Sequence, residues 1–342
     1  MTRQWTDGFE INDYIGYCLG NLGTALSNTL YRSGAISAGL TASGPTSDAW
    51  FSFPVAGVSE FYLRFGVHVP TGPGLGNDWP FVYWSGGGAN QGYIHFASCN
   101  LITIHNSIGT ILDTGTTPLF RDTWYLIEVH VKISATVGII EVKLDGASVL
   151  ECSFSGNTGT GTVDTIRFAV GYGGLGTINI ANFDDLAFND TAGGVDDSWC
   201  GEGKIIVMLP NDDSAPLELT PSAAVDHHTL VDDIPTDGDT TYVEGSVIDE
   251  EDMYKLTPSG LVDVDINRVY VESRSRKTAA SDGHVALITK AAGGAEVSGG
   301  DVELLTTYSI KCLSAEELVN PVDSAAWEVA DIDLIEIGPR TR

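Results

Sequence analysis

The sequence predicts an all-β protein built from two tandem β-sandwich domains. Three observations predict it. Apolar and polar residues alternate at period 2 along most of the chain. Glycine is abundant, at 40 of 342 residues, while Lys and Arg are few. An acidic, Gly-containing break at Asn182–Trp199 (NFDDLAFNDTAGGVDDSW) separates two strand-rich halves. A chain of this length holds two domains with their own cores. The expected division is residues 1–192, a hinge at 193–203, and residues 204–342.

In the first half, Gly20–Tyr31 is the one helical candidate, with irregular spacing and interrupting glycines. Phe61, Leu63, Phe65, Val67 and Val69 then alternate with Tyr62, Arg64, Gly66 and His68, the pattern of a strand with one buried face. Tyr125, Ile127, Val129, Val131 and Ile133 share one face of the next clear strand, opposite Glu128, His130 and Lys132. Ile140, Val142 and Leu144 follow the same rule, Asp145-Gly146 supplies the residues of a tight turn, and Leu150, Cys152 and Phe154 line the return. Further strands are expected at Ser47–Phe53, Phe81–Trp84, Tyr93–Ala97, Leu101–His105, Thr165–Val170 and Ile178–Phe188, and a two-sheet sandwich closes such a set.

The second half begins with an expected strand at Lys204–Leu209. Asn211–Thr241 reads as an acidic, turn-rich irregular stretch. Strands are expected at Thr240–Val243, Val264–Ser273, His284–Lys290, Leu304–Lys311 and Ile332–Ile337. A short helix is expected at Ala315–Val319, with Ser314 and Glu317 as a capping box.

Charge and cysteine usage narrow the function classes. The 46 acidic residues against 17 basic ones, a net charge of -29, repel nucleic acid and anionic membranes. The five cysteines, Cys18, Cys99, Cys152, Cys200 and Cys312, are odd in number and widely spaced, so they read as reduced thiols formed in a cytosol. MTRQWTDGFE lacks the apolar core of a signal peptide, and no apolar run reaches transmembrane length. A protein made in a cytosol that acts outside leaves by lysis or within a particle.

Several motifs carry a resemblance. The first half resembles a concanavalin A-like, laminin-G-type jelly roll in its opening WTDGFE (Trp5–Glu10), in DTWYLIEVHVKI (Asp122–Ile133), in IEVKLDGASVLE (Ile140–Glu151) and in the closing NFDDLAFND (Asn182–Asp190). The second half resembles a module that follows this fold in tailed-bacteriophage structural proteins. There the carriers are VDDSWCGEGKIIVMLPNDDS (Val195–Ser214), VDDIPTDGDTTYV (Val231–Val243) and AWEVADIDLIEIG (Ala326–Gly338). The resemblance implies a non-enzymatic virion component, in a tail, a fibre or a capsid decoration. Its partners would be other virion proteins and further copies of itself, with neither nucleic acid nor membrane bound.

Catalytic patterns are incomplete. Glycoside hydrolysis on this fold wants alternating acids on one strand, but Glu141, Lys143 and Asp145 lack the central one, and the adjacent Asp184 and Asp185 are expected on opposite strand faces. No nucleophile elbow, phosphate loop or dinucleotide fingerprint occurs. His227-His228 are adjacent and diverge on an extended chain, so they read as polar loop residues and not as zinc ligands. The densest oxygen-ligand set for calcium is Asp232, Asp237 and Asp239, with Asp233 beside them. It reads either as a calcium site or as a solvated acidic turn.

Glycan contact has a better candidate set. Trp79, Tyr83, Trp84, Asn90 and Tyr93 fall in one loop-strand stretch, with Asn77, Asp78 and Gln91 adding polar groups. Sugars stack their apolar faces on aromatic rings while their hydroxyls meet amides and carboxylates. The same residues fit a core or a subunit interface. Function is therefore expected to be that of a virion structural protein that contacts host-surface glycans. The alternatives are a secreted or cell-surface lectin and, behind it, a glycoside hydrolase.

Overall fold

Period-2 alternation becomes two stacked antiparallel sheets in the first unit of the chain. The computed structural model describes residues 3–10, 18–20, 24–42, 49–70, 80–96, 100–171, 179–193, 196–234, 236–280, 282–312 and 319–342. Contacts divide the chain into one unit that runs to Ile205 and another that begins at Ile206.

The strands of the first unit are β1 (Arg3–Asp7), β2 (Cys18–Gly20), β3 (Thr24–Ser27), β4 (Ser37–Ala42), β5 (Ala49–Val58), β6 (Glu60–His68), β7 (Pro80–Gly86) and β8 (Ala89–Phe96). They continue with β9 (Ile102–Asn106), β10 (Ile111–Thr114), β11 (Trp124–Lys132), β12 (Gly138–Leu144), β13 (Cys152–Gly156), β14 (Val163–Val170) and β15 (Asn179–Asp190). One sheet has eight strands in the order β13-β12-β11-β6-β15-β4-β3, with β1 also on β15. The other has seven, in the order β10-β9-β8-β7-β14-β5-β2. Non-consecutive neighbours in both sheets make this a jelly-roll sandwich.

The core lies between the sheets and is largely aromatic. Phe51, Phe53, Phe168 and Trp84 of the seven-stranded sheet meet Phe61, Phe65, Phe183 and Phe188 of the other, all fully buried. Edge-to-face pairs cross the gap, with centroids 5.9 Å apart for Phe51–Phe183, 5.2 Å for Phe65–Phe168 and 6.0 Å for Phe61–Trp84. Each such pair adds about 0.5–1.5 kcal/mol beyond the area it buries. Asp145 (φ 49°) and Gly146 (φ 66°) form the expected turn, closed by Ala147 N–H donating to Leu144 O.

Gly20–Tyr31, the helical candidate, holds no helix where described: Gly20 and Thr24–Ser27 are strand and residues 28–31 are irregular. β3 pairs antiparallel with β4, Leu26 opposite Ala38, so sheet pairing overrides weak local propensity. Residues 196–205, mostly expected as a hinge, belong to the first unit. Cys200 is buried, Gly201 N–H donates to Glu128 Oε1 (2.7 Å) and Ile205 N–H donates to Asp185 Oδ1 (2.7 Å). Trp199 sits against Tyr62 (centroids 5.6 Å apart) and under Lys143 Nζ (4.0 Å from its ring centroid).

The second unit is also β-rich. Its strands are β16 (Pro210–Leu217), β17 (Thr220–Pro221), β18 (Val243–Glu244), β19 (Asp252–Leu256), β20 (Glu272–Ser275), β21 (His284–Lys290), β22 (Val297–Ser298), β23 (Val302–Glu303), β24 (Ser309–Cys312) and β25 (Glu336–Thr341). A six-stranded sheet runs β16-β19-β25-β21-β22 with β23 on β21, and β17-β18 and β20-β24 form two ribbons. Lys204–Leu209 forms no strand. The chain pairs instead over β16, whose prolines are tolerated because it is an edge strand bonded only to β19. AWEVADID turns a short helix, α1 (Val329–Ile332), before β25, so the strand expected from Ile332 begins at Glu336. The expected helix at Ala315–Val319 lies almost wholly outside the described residues. One small core joins Val271, Val285 and Leu287, and another joins Ala291, Trp327, Ile332 and Ile335.

Candidate functional site

Every second residue of a strand in the seven-stranded sheet leaves the core and faces outward. In β5 these are Trp50 and Ser52, flanking the buried Phe51 and Phe53. In β14 the outward residue is Arg167, between the buried Ile166 and Phe168. Register carries the row across the sheet: Ser52 opposite Arg167, Arg167 opposite Tyr83, Tyr83 opposite Tyr93, and Tyr93 opposite His105. A second row holds Trp50 opposite Ala169, and His95 opposite Thr103.

Arg167 joins the two aromatic ends of this face. Its guanidinium carbon lies 4.0 Å from the Trp50 ring centroid and 5.0 Å from that of Tyr83, and Nη1 donates to Tyr83 Oη at 2.6 Å. The Tyr93 ring stacks on His105 at 4.4 Å, and His105 lies 4.2 Å from His95. Thr103 Oγ1 is 3.0 Å from both His95 Nδ1 and His105 Nε2, while His105 Nδ1 is 3.2 Å from Gly109 O. A carbonyl only accepts, so His105 carries its hydrogen on Nδ1. The Thr103 hydroxyl lies within reach of both imidazoles and donates to His95 O at 3.2 Å. Trp50, Tyr83, Tyr93 and Arg167 are half-buried, whereas His95, Thr103 and His105 are buried beside them.

Of the five residues singled out in the sequence for glycan contact, Tyr83 and Tyr93 lie side by side on this face. Trp84 does not. It is fully buried, packs on Phe61, and covers Gly92, where a Cβ would come within 2.8 Å of its ring. Strand parity sends it inward with Val82. Asn90 is exposed at the β7–β8 turn, and its Oδ1 accepts Gly92 N–H at 2.9 Å. Trp79 lies outside the described residues. Trp50, Arg167, His95, Thr103 and His105 were missed. Their signal was parity, since each is one residue from a core Phe or Ile.

The three aspartates weighed for calcium do not converge. Asp239 pairs with Arg276 (2.7 Å) and accepts the Tyr308 hydroxyl. The Thr241 hydroxyl lies 2.9 Å from Asp237 Oδ2 and 2.8 Å from Asp233 Oδ2 and donates to one of them at a time, and no three metal-ligating side chains cluster among the described residues. His227 and His228 anchor the 3-10 turn His227–Leu230 that follows β17: His227 Nδ1 is 2.6 Å from the buried Asp252, and His228 Nδ1 is 3.1 Å from Asp213.

The outer face of the eight-stranded sheet is occupied. His130 lies between Glu60 (3.1 Å) and Glu141 (3.0 Å), and Asp145 Oδ1 accepts Leu126 N–H, so the acids weighed for hydrolysis serve the sheet itself. Asp184 and Asp185 do not point apart as expected. A bulge with φ 53° at Asp185 turns both carboxylates onto residues 32–33. Asp184 accepts Arg32 N–H (2.7 Å) and Ser33 N–H (3.2 Å), while Asp185 takes Arg32 Nη1 (2.5 Å) and the Ser33 hydroxyl. Burial, reinforced by the Asp185 charge, pushes the Asp184 carboxyl well above the usual range. Burial also raises Glu10, whose Oε2 accepts Ala35 N–H, to about 7.

The first unit is thus a jelly-roll β-sandwich of two antiparallel sheets. Solved structures similar to this chain include the cellulose-induced protein Cip1 (19% identity, TM-score 0.46, covering 58% of this chain and all of that one). They also include the alginate lyase Aly36B (13% identity, TM-score 0.38, 54% and 96%) and a galectin-like-fold protein of unknown function from Bacillus subtilis (10% identity, TM-score 0.39, 55% and 96%). No protein-family model matches the chain, and no curated protein matches it.

Proposed function

We propose that the first unit is a carbohydrate-binding module whose sugar site is the outer face of the seven-stranded sheet. The observation that carries this reading is the in-register row Arg167–Tyr83–Tyr93–His105, with Trp50 beside it, on one rigid face. Sugar rings stack their C–H faces on Trp50 and Tyr93, and hydroxyls exchange hydrogen bonds with Tyr83 and Arg167, while the buried Thr103–histidine network stiffens the sheet beside Tyr93. The reading is of binding and not cleavage. Among the described residues in these rows no carboxylate pair stands where glycoside hydrolysis would need one.

The setting we propose is the one the sequence resemblance implies, the surface of a tailed-phage-like virion, with other virion proteins and further copies of this chain as neighbours. Repeated copies on a particle turn a weak single-site affinity into firm attachment.

Glycan-array screening followed by calorimetry on the full chain tests the binding. At least one glycan should bind, and Trp50→Ala or Tyr93→Ala should weaken it about tenfold or more, in line with the loss of one stacking contact. A chain that binds no glycan, or variants that bind as well as the parent, would overturn it. Antibody-labelled electron microscopy of source particles tests the setting, and label absent from every particle would sink that half.

A further inference from the structure

We infer that the sugar face selects an acidic polysaccharide, and that Arg167 is the residue that reads its negative charge. This rests on the carbohydrate-binding reading above and names the ligand class for that site.

The argument begins with charge. The chain carries 46 acidic residues and 17 basic ones, so a cation in this protein has an excess of carboxylates to pair with. Four other arginines show the consequence: Arg32 pairs with Asp185, Arg276 with Asp239, Arg340 with Glu251 and Glu296, and Arg342 with Asp249 and Asp301. No carboxylate among the described residues pairs with Arg167. Its in-register neighbours are Ser52, Tyr83 and, through Tyr83, Tyr93 and His105, none of them acidic. Among the described residues of this row, no acid stands beside Arg167.

Geometry adds to charge. Trp50 and Tyr83 fix the guanidinium plane, and the Tyr83 hydroxyl takes Nη1. Among the described residues the buried Nε–H finds no acceptor. A buried donor without an acceptor costs about 1–3 kcal/mol, so a well-paired Arg167 would be the more stable choice for the free protein. A rigid guanidinium without a counter-charge is organised for a ligand that brings one. Its planar fork matches the two oxygens of a carboxylate, and also accommodates a sulfate. The rings beside it suit the sugar that carries the anionic group. A uronate-containing or sulfated glycan has both parts.

Three defined polymers test this with the full chain: an oligouronate, a sulfated galactan oligosaccharide and a neutral glucan oligosaccharide of equal length, each titrated calorimetrically. We expect at least one anionic polymer to bind about tenfold or more tighter than the neutral one, the difference one charge-assisted contact supplies. Arg167→Gln should erase that preference and leave residual neutral-sugar binding. Arg167→Lys, which keeps the charge but loses the fork, should retain more affinity for the sulfated polymer than for the uronate. Thermal unfolding of each variant checks that the fold is intact, and Arg167→Lys serves alone if the Gln variant does not fold. Equal or tighter binding of the neutral glucan, or an anionic preference unchanged in both variants, would overturn the inference while leaving the carbohydrate-binding reading in place. Absence of binding to all three and to every glycan on the array overturns both.

Discussion

The two outer faces of the first unit grow from the same alternation of strand residues and end differently. On the eight-stranded sheet, the polar residues that leave the core are covered again. Arg64, Glu128, His130, Asp184 and Asp185 are all buried there, held by one another and by residues 196–205. On the seven-stranded sheet, Trp50, Arg167, Tyr83 and Tyr93 stay half-exposed, and no carboxylate among the described residues pairs with Arg167. One face spends its polar groups on internal pairing. The other holds half-exposed rings and a guanidinium in a fixed arrangement, which is what a binding surface requires.

The sharpest way to break this contrast is to remove one charge from each face. Asp185→Ala strands Arg32, Ser33 and the Ile205 amide, and should cost the first unit about 3–5 kcal/mol, as loss of one partner of a buried ion pair does. Arg167→Gln should cost about 1 kcal/mol or less, the scale of a partly exposed cation–π contact. Urea unfolding of both variants measures the difference, and equal losses would refute the contrast.

Next comes pH. Glu10 ionises from 4.5 in the unfolded chain but only near 7 when folded, and Asp184 is raised in the same direction. Between the two values the folded state holds protons that the unfolded state has lost. These groups therefore make stability fall as pH rises from about 4.5 to 7, with the loss complete above the folded values. Glu60, lowered in the folded state by Lys132 and His130 against its burial, works oppositely: its contribution is present above 4.5 and is lost below that. Denaturation midpoints across this range should fall with pH, and Asp184→Asn should flatten the slope.

Smaller effects sharpen the picture. Trp199→Ala removes the ring under Lys143 and beside Tyr62, and should cost about 1–2 kcal/mol while speeding hydrogen exchange at residues 196–205. Asn90→Ala loses one bond to Gly92 N–H, worth about 0.5–1.5 kcal/mol, and should leave glycan affinity unchanged because Asn90 lies at the turn and not in the row.

Much of the first unit was legible in the sequence. The strands around Phe61–Val67 and Tyr125–Val131 announce themselves because one face is uniformly apolar. That Arg64 and His130 are also buried was not legible, since residues 196–205, which help to cover that face, look like a polar linker. The Asp185 bulge was equally hidden, because one residue out of register leaves no mark on composition. At the site, reading Tyr83, Trp84 and Tyr93 as one aromatic cluster ignored parity, which separates Trp84 from the tyrosines. Trp50 and Arg167 needed the pairing of β5 with β14, strands more than 100 residues apart along the chain.

The grip on residues 201–205 also determines how tension enters the first unit. A pull on the chain beyond Ile205 first loads the Ile205 amide on Asp185, then the Gly203 carbonyl on Arg32, then the Gly201 amide on Glu128. These clasps share the load before the last strand, β15, is strained. They act as a strain relief between the first unit and whatever tugs on the chain beyond it.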